Sequence, residues 1–548
     1  AKVKNILSQI FFPKRLESSS HESYSGSCGD HAQWSLNPEN GELRITGTGP
    51  LYDFFGEKEV PWESHLNHIR KVVVAHGITY IGFQAFSYCK SLSSVQLPDT
   101  LTGIGQHAFA YCKSLTSVLL PEGVKHIKDY AFAHCYHLQE LTLSTTLKSI
   151  GKAAFCSCHG LTRISIPDNA ILLGSQVFAD CKSLTEVKLP EGLLQLKSNS
   201  FTGCISLPSV SLPSSVVYLG NSAFEGCNSF TRIDIPDKIV HIGDRVFADC
   251  HALEQITIPS SVHHLGKHIF SGCRSLKTLT VPFPACGTPA TFSNFGELFG
   301  TTPDIEMRKI SQDNETGKET NYYLPHSLSV LRILEGCEII PSKCLMNCFV
   351  LKELHLPSSL YMMGEKAVYG CAGLKTIYCQ AAEPASIHAD TFGGIRFNVC
   401  RIHVPQGSTE KYKQDRHWKY FSQIEDYGTI LQAMTGVESV SIFFLSSKAI
   451  KRETQTIFHT PDFQSNNNIK FVSAEQKIFL RRMKNHLAEI EKSISAKRFY
   501  DLLTFDGNLL RPVFCKKLYY HAVFSVPQSS KPRIFSLLLH EIGCIPAI

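Results

Sequence analysis

Cysteine and histidine are the residues of this sequence whose numbers and spacing could support chemistry. The chain has 20 cysteines and 24 histidines, enough to supply thiol nucleophiles, disulfide bonds or a zinc site. Nine of the cysteines recur every 23 residues, at Cys89, Cys112, Cys135, Cys158, Cys181, Cys204, Cys227, Cys250 and Cys273. Because cysteine is among the most buried residue types, this spacing predicts a column of buried free thiols. Neighbouring members would also be close enough for a disulfide bridge.

Two closely spaced cysteine pairs invite a zinc interpretation. They are Cys156 with Cys158, and Cys344 with Cys348. Each pair includes a cysteine of the column or of its continuation, and neither has a second pair of ligands at the spacing of a metal site. The pairs therefore favour the structural interpretation.

The densest histidine cluster is formed by His263, His264 and His268. Histidines are scattered over many of the 23-residue units, so exposed variable positions account for this cluster better than a metal site does. The sequence also lacks a P-loop, a GxGxxG motif after a strand, an HExxH motif and a GxSxG motif. It therefore predicts no catalytic, cofactor-binding or metal-binding residues, and a protein that is not an enzyme.

The thiol spacing belongs to a longer repeated unit. Phenylalanine precedes each column cysteine by three residues, at Phe86, Phe109, Phe132, Phe155, Phe178, Phe201, Phe224, Phe247 and Phe270. A fixed period of this length is the signature of a solenoid. In the unit 114–135, the alternation of Val118 and Leu120 with polar positions predicts a strand, which Pro121 ends. A turn or short helix from Tyr130 then carries Phe132 and Cys135 into the core.

Stacking explains why the unit is repeated. One unit cannot bury its own apolar side, whereas stacked units share a core and pair their strands in a parallel sheet. With neighbouring strands ~4.8 Å apart, nine coils span roughly 40 Å. The sequence thus predicts a repeat solenoid with one buried column of phenylalanine rings.

The repeated pattern also resembles a known family. The segments IGQHAFAYCKSLTSVLLPEGV (104–124) and IGDRVFADCHALEQITIPSSV (242–262) resemble the BspA-like leucine-rich repeats of bacterial surface proteins. The resemblance extends over residues 28–427. It implies a leucine-rich-repeat solenoid and a secreted or surface-displayed binding protein, often adhesive, with a host or extracellular protein as its ligand.

The chain divides into seven predicted segments. They are a poorly ordered leader (1–27), an N-terminal β cap (28–70), regular repeats (71–282), an insertion loop (283–323), resumed repeats (324–378), a C-terminal cap (379–427) and a basic tail of α+β type (428–548). The insertion is interpreted as an excursion between two coils.

Both caps are predicted from their residues and from the family resemblance. In the first, Asn40-Gly41 marks a hairpin turn, and Trp34 and Trp62 are interpreted as core plugs. In the second, a terminal helix packs over the open end of the solenoid. Its packing residues are expected to be Tyr412, Trp418, Phe421 and Ile424.

The tail differs from the rest of the chain in charge. From residue 430 onward it has 16 Lys and Arg against 9 Asp and Glu, whereas the net charge of the whole chain is +6. A stripe of five apolar residues predicts one helix, at Leu480, Met483, Leu487, Ile490 and Ile494. A basic segment with a helix could contact nucleic acid, but the absence of a recognition motif disfavours that interpretation.

The remaining candidate for function is the solvent side of the repeat strands. Its charged and amide residues are Glu140, Arg163, Glu186, Lys188, Arg232, Asp234 and Gln255. In the nine regular repeats this surface is polar, mixed in sign and poor in aromatic residues, which argues against a carbohydrate-stacking groove. Solenoid sheet surfaces commonly bind extended or convex partners, so the sequence favours a protein ligand.

Three functional hypotheses follow from the sequence. The first is a non-enzymatic binding protein, secreted or at the cell surface, that mediates protein–protein interaction or adhesion. The alternatives are a self-associating structural surface protein and a regulator whose basic tail contacts nucleic acid. The first residues show no complete signal peptide, so a cytoplasmic location stays open, and no apolar run is long enough to span a membrane.

Overall fold

The computed structural model describes residues 24–55, 59–282, 294–313 and 317–427. The chain divides into two units between Tyr427 and Gly428. The second unit, with the helix predicted from Leu480 to Ile494, lies outside the described residues, as do residues 1–23. The first unit is a parallel β-solenoid of stacked coils, closed at its start by an antiparallel β cap.

The N-terminal cap is built from three strands: β1 (Ser25–Ser27), β2 (His31–Asn37) and β3 (Glu42–Pro50). Strand β2 pairs antiparallel with both neighbours, and the predicted turn is present, with Gly41 at a φ of 72°. Strand β1 occupies the last residues of the predicted leader, so the cap begins before Cys28.

Two tryptophans join the cap to the first coil. Trp62 is fully buried, its Nε1 donates a hydrogen bond to the carbonyl oxygen of Ala85 at 2.9 Å, and its ring stacks on Phe86 at 5.5 Å. The ring of Trp34 meets that of Trp62 edge-on at 5.6 Å. Both side chains are therefore core residues, as the sequence predicted.

The coils contribute two sets of parallel strands. The longer strands form the long ladder: β4 (Lys71–Val74), β6 (Ser94–Gln96), β8 (Ser117–Leu119), β10 (Glu140–Thr142), β12 (Arg163–Ser165), β14 (Glu186–Lys188), β18 (Gln255–Thr257), β20 (Thr278–Val281), β23 (Val330–Ile333), β25 (Glu353–Leu356), β27 (Thr376–Cys379), β29 (Arg401–Val404) and β30 (Gln423–Asp426). Strand β3 of the cap pairs with β4. The long ladder is the predicted sheet.

A second set was not predicted. The short ladder contains β5 (Ile78–Ile81) and the two-residue strands β7 (Gly103–Ile104), β9 (His126–Ile127), β11 (Ser149–Ile150), β13 (Leu172–Leu173), β15 (Gln195–Leu196), β16 (Tyr218–Leu219), β17 (His241–Ile242), β19 (His264–Leu265), β24 (Ile339–Ile340), β26 (Met362–Met363) and β28 (Ser386–Ile387). Two residues are too few to show an alternating pattern in a sequence.

The nine phenylalanines form the predicted column. All nine are fully buried, and consecutive rings stack at centroid distances from 5.1 Å, between Phe109 and Phe132, to 6.2 Å, between Phe247 and Phe270. The column extends one coil further, because Phe299 packs 6.0 Å from Phe270. The rings thus form one continuous core through the regular coils.

The cysteine column is buried as predicted, and its thiols have hydrogen-bond partners. The Sγ of Cys112 donates to the carbonyl oxygen of Phe86 at 3.1 Å, and this contact with the phenylalanine 26 residues earlier recurs up to Cys273. Burial raises the pKa of Cys135 and Cys227 to about 12. The thiols of the column are therefore protonated and act as structural donors.

This arrangement predicts a selective pattern of thiol reactivity. Of the 17 cysteines in the described residues, all free, Cys156 is the one that is partly exposed. A thiol must be accessible to react, and burial raises the pKa of Cys156 as it does those of the column. Its partial exposure therefore leads us to expect that maleimide modifies Cys156 in the native protein and the others only after unfolding. Mass spectrometry of a variant that combines Cys286→Ser, Cys515→Ser and Cys544→Ser, at positions outside the described residues, measures this. Rapid native labelling of a column cysteine would contradict the packing.

The turn that carries each phenylalanine is not helical. In the segment from Tyr130 to Cys135, both Tyr130 and His134 have a left-handed backbone, with φ of 58° and 62°. The amide of Phe132 donates to the carbonyl oxygen of Ala154 in the next coil at 2.8 Å. Alternate amides donate to the next coil, whereas those of Ala133 and Cys135 donate within the turn. Because only every second amide bonds locally, the short helix that the sequence allowed does not form.

The long ladder is interrupted in the middle of the regular repeats. Residues around Ser209 and Arg232 form no strand. In an intact coil the amide of Thr185 donates to Thr162 at 2.8 Å, whereas the equivalent residue of the next coil is Pro208, which has no amide hydrogen. Arg232 and Asp234, predicted as strand residues, thus lie outside the paired strands.

The insertion is an excursion between two coils, as predicted, since β20 pairs directly with β23. A 3₁₀ helix at Phe295–Leu298 precedes an antiparallel hairpin of β21 (Met307–Asp313) and β22 (Glu319–Pro325). Leu324 and Pro325, where the sequence predicted the repeat to resume, are the last two residues of β22. Residues 283–293 and 314–316 lie outside the described part.

The C-terminal cap contains α1 (Thr409–Gln414), a 3₁₀ helix (Trp418–Tyr420) and β30. Tyr412, Trp418 and Phe421 are buried there as expected. Ile424 is also buried, but it lies in β30, which pairs with β29. The end of the solenoid is therefore closed by a further strand as well as by the predicted helix.

Candidate protein-binding face

The long ladder places alternate side chains on opposite sides of the sheet. In β12, Arg163 and Ser165 are exposed while Ile164 is buried, and β8 and β18 repeat this pattern. The inward residue packs in the common core, so the direction of its neighbours is fixed by the strand geometry. We call the outward side of the long ladder the sheet face.

The structure brings some of the predicted face residues together. Arg163 is the register partner of Glu186, and Ser165 is that of Lys188. Glu140 instead lies beside Ser117 in the pair β8–β10.

The other predicted face residues are more distant from this group. Gln255 lies beside Thr278, whereas Arg232 and Asp234 belong to the interrupted region. All seven predicted residues are exposed.

Six of these seven residues are charged, and their charges are available to a ligand. Among the described residues, none of the seven takes part in an ion pair. The surface is mixed in sign, with Arg163 beside Glu186 in register. A face of this kind suits a partner with complementary charges and contributes more to specificity than to affinity.

The sheet face also contains aromatic residues that the sequence reasoning missed. His355, Tyr378 and His403 occupy successive register positions, and their rings stack at 4.3 and 5.1 Å. They lie in the resumed coils, beyond the nine regular repeats from which the surface was judged poor in aromatics. Their 23- and 25-residue spacing is the sequence signal that could have revealed them.

The two histidines of this stack are held neutral. Burial, together with the charge of Arg332, lowers the pKa of His355 to about 4. Burial also lowers the pKa of His403, which is further affected by Glu425 and Arg401. Arg332 and Arg401 favour the neutral form of the neighbouring imidazole, whereas Glu425 opposes this effect at His403.

The histidine cluster identified in the sequence is dispersed in the structure. His264 is in the short ladder, where its ring stacks 4.2 Å from that of His241, and Tyr218 continues this stack at 4.4 Å. His268 lies in a turn with a φ of 57°. Within the described residues there is no group of three or more histidine, cysteine, aspartate or glutamate side chains that could hold a metal ion.

One apolar cavity lies beneath the C-terminal cap. It has a volume of about 10 Å³, and its lining includes Leu360, Tyr412 and Trp418. This is room for a single water molecule at most. Its size and lining make it a packing defect and not a ligand site.

Together, the repeated strand-and-turn coils, the continuous apolar core and the terminal caps define a leucine-rich-repeat solenoid. The chain belongs to the family of BspA type leucine-rich repeat proteins. The family model for the BspA type leucine rich repeat region matches residues 64–185, 172–285 and 316–414. The resemblance stated from the repeated segments is thereby confirmed.

Several solved structures of bacterial leucine-rich repeat proteins match this chain. A leucine-rich repeat protein from Bacteroides ovatus is 22% identical, with 72% of this chain and 98% of that chain covered and a TM-score of 0.45. One from Eubacterium ventriosum is 22% identical, covering 68% and 94%, with a TM-score of 0.40. The T. pallidum leucine-rich repeat protein is 29% identical over 37% of this chain and 90% of that chain, with a TM-score of 0.30. No curated protein matched the sequence.

The described residues also bear on membrane association. None of their helices combines the length and the apolar character needed to cross a bilayer.

Proposed function

We propose that this protein is a non-enzymatic binding protein that engages a protein ligand through its sheet face, secreted or at the cell surface, in interaction or adhesion. Membership of the BspA type family supports this proposal. The physical support is the separation of roles along each strand, in which inward residues form the core and outward residues are left for solvent or a partner. A surface of this kind can change its ligand without loss of the fold.

One observation carries the proposal. Exposed charged residues without ion pairs among the described residues stand in register on a rigid sheet, as Arg163, Glu186 and Lys188 do on β12 and β14. An extended surface of stacked repeats contacts a partner at many points, each of small energy. The proposed binding face comprises Glu140, Arg163, Glu186, Lys188, Arg232, Asp234 and Gln255.

A peptide selection tests the proposal while the natural ligand is unidentified. Random peptides displayed on phage are selected against the immobilised full chain and then titrated against face variants. We expect selected peptides to lose binding when Arg163→Glu and Glu186→Arg are combined, because this exchange reverses the local charge pattern and keeps the net charge. The control combines Lys125→Glu with Lys148→Glu on the short ladder, and these changes should leave binding intact.

One outcome of the peptide selection would contradict the proposal. If every enriched peptide binds all sheet-face variants, including those of the resumed coils, as well as it binds the unmodified chain, then the sheet face is not the binding surface. Circular dichroism of each variant shows whether the fold is retained, so that a loss of binding is not confused with a loss of structure.

A further inference from the structure

The resumed coils present the most regular part of the sheet face. Strands β18, β20, β23, β25, β27, β29 and β30 pair without interruption, whereas the preceding part of the long ladder is divided into shorter groups. Strands β23, β25, β27 and β29 each have four residues, compared with three in most of the regular coils. We call the outward side of these four strands, with the residue that precedes each, the platform.

The platform has an excess of positive charge. The cations of these four strands are Arg332, Lys352, Lys375 and Arg401, and their single carboxylate is Glu353. A second carboxylate, Glu425 on the adjoining β30, is the register partner of His403. This differs from the preceding part of the sheet face, where the cations Arg163, Lys188 and Arg232 are balanced by Glu140, Glu186 and Asp234.

The platform cations are not neutralised within the described residues. Arg332, Lys352 and Lys375 have no carboxylate at ion-pair distance there, and Arg401 donates through Nε to the Oε1 of Gln423 at 3.0 Å. The carboxylate of Glu353 lies 3.6 Å from Nε2 of His355. By contrast, Lys277, which precedes β20 at the edge of the platform, is paired with Glu254 at 2.7 Å.

The aromatic stack gives the platform a rigid centre. His355, Tyr378 and His403 stack along the register, and Tyr427 adds a ring 6.3 Å from Tyr378. Within the described residues, Nδ1 of His403 makes no hydrogen bond, although this side chain is only 5% exposed. Nε2 of His355 also has no hydrogen-bond partner there. The cations therefore surround a packed stack of rings.

We propose that the platform recognises an acidic, extended segment of a partner protein. The inference rests on the proposed function and specifies the chemistry of the ligand. Carboxylates of the segment would pair with Lys352 and Lys375 at one edge and with Arg332 and Arg401 beside the stack. Four strands ~4.8 Å apart span roughly 14 Å, a width that about four residues of extended chain would cross.

The test is a titration of the full chain with a fluorescent oligoglutamate peptide, followed by anisotropy at several salt concentrations. The platform variant combines Lys352→Glu with Lys375→Glu, and the matched control combines Lys125→Glu with Lys148→Glu, which are also exposed lysines at the start of strands. We expect the platform variant to bind the peptide at least about tenfold more weakly, and the control to change less than about twofold. Added salt should weaken binding to the unmodified chain.

Three outcomes would overturn the proposal: no binding of the peptide, equal weakening in both variants, or tighter platform-dependent binding of heparin or RNA than of the peptide. The phage selection keeps this failure separate from failure of the proposed function. If selected peptides depend on the sheet face but are not acidic, the proposed function stands and the acidic ligand is wrong. If no peptide depends on the sheet face, both are wrong.

Discussion

Replacing Phe178 by alanine is expected to lower the free energy of unfolding by about 3–5 kcal/mol. This ring is fully buried and lies between Phe155 at 5.8 Å and Phe201 at 5.6 Å. Truncation would leave a cavity in the middle of the column. The coils on either side cannot close it because hydrogen bonds between their turns hold them apart, from Phe155 to Val177 and from Phe178 to Ser200, each at 3.0 Å. The loss is therefore larger than that for a surface change.

The matched control is Phe178→Leu, because the chain itself places Leu345 at the equivalent position of a later coil, where it is fully buried. We expect leucine to recover more than half of the lost stability. Urea unfolding followed by circular dichroism compares the two variants with the unmodified chain. A loss below about 1 kcal/mol for the alanine variant, as for a surface residue, would show that the column does not support the fold.

The second large effect is expected at the N-terminal cap. Trp62→Ala removes the ring that stacks on Phe86 at 5.5 Å and meets Phe54 edge-on at 5.7 Å. It also removes the Nε1 group that donates a hydrogen bond to the carbonyl oxygen of Ala85. We expect a loss of about 3–5 kcal/mol from the lost ring, and exposure of the first coil to solvent. Because an uncapped solenoid exposes apolar surface and a sheet edge, aggregation should also increase.

Replacing Trp62 by phenylalanine separates the contribution of ring packing from that of the Nε1 hydrogen bond. Trp62→Phe keeps a ring against Phe86 but leaves the buried carbonyl of Ala85 without its donor, which costs about 1–3 kcal/mol. Urea unfolding measures the loss of stability in both variants, and light scattering measures their aggregation. Equal stability of the alanine variant and the unmodified chain would contradict the role of the cap. Trp418 offers an independent comparison, since its Nε1 donates to Ala385 at 2.9 Å in the C-terminal cap.

The repeated core could be predicted because it depends on residue type and spacing alone. A ring at Phe178 and a thiol at Cys181, each repeated every 23 residues, can be buried together only if the coils stack in register. The donor role of the thiols was not predicted, because the acceptor of Cys181 is a backbone carbonyl 26 residues earlier. A sequence pattern specifies side chains and not the direction of a carbonyl group.

The backbone conformation was predicted less well than the burial of the side chains. The left-handed residues Tyr130 and His134 are not glycines, so nothing in their type marks the turn, and the bonds that hold them come from the next coil. The interruption near Ser209 is marked in the sequence by Pro208. This proline is informative only once it is known that the backbone amide at this position donates a hydrogen bond to the neighbouring coil. In both cases the backbone hydrogen bonds between coils determine the conformation, and the local preferences of the residues do not.

The candidate face was predicted only in part. The exposed positions of the regular strands followed from alternation, as at Arg163 and Lys188. The stack of His355, Tyr378 and His403 was not predicted, because the insertion breaks the 23-residue period before these positions. Its positive surroundings become evident only when strand register places Arg332 and Arg401 beside it.

The most direct test of the central claim, that the outward side of the long ladder is the functional surface, is hydrogen–deuterium exchange of the full chain with and without a selected peptide. For a peptide that loses binding when Arg163 and Glu186 are exchanged, the claim predicts slower exchange in the long ladder, chiefly in β12 and β14, and unchanged exchange in the short ladder. Protection confined to the short ladder or to residues beyond Tyr427 would contradict it.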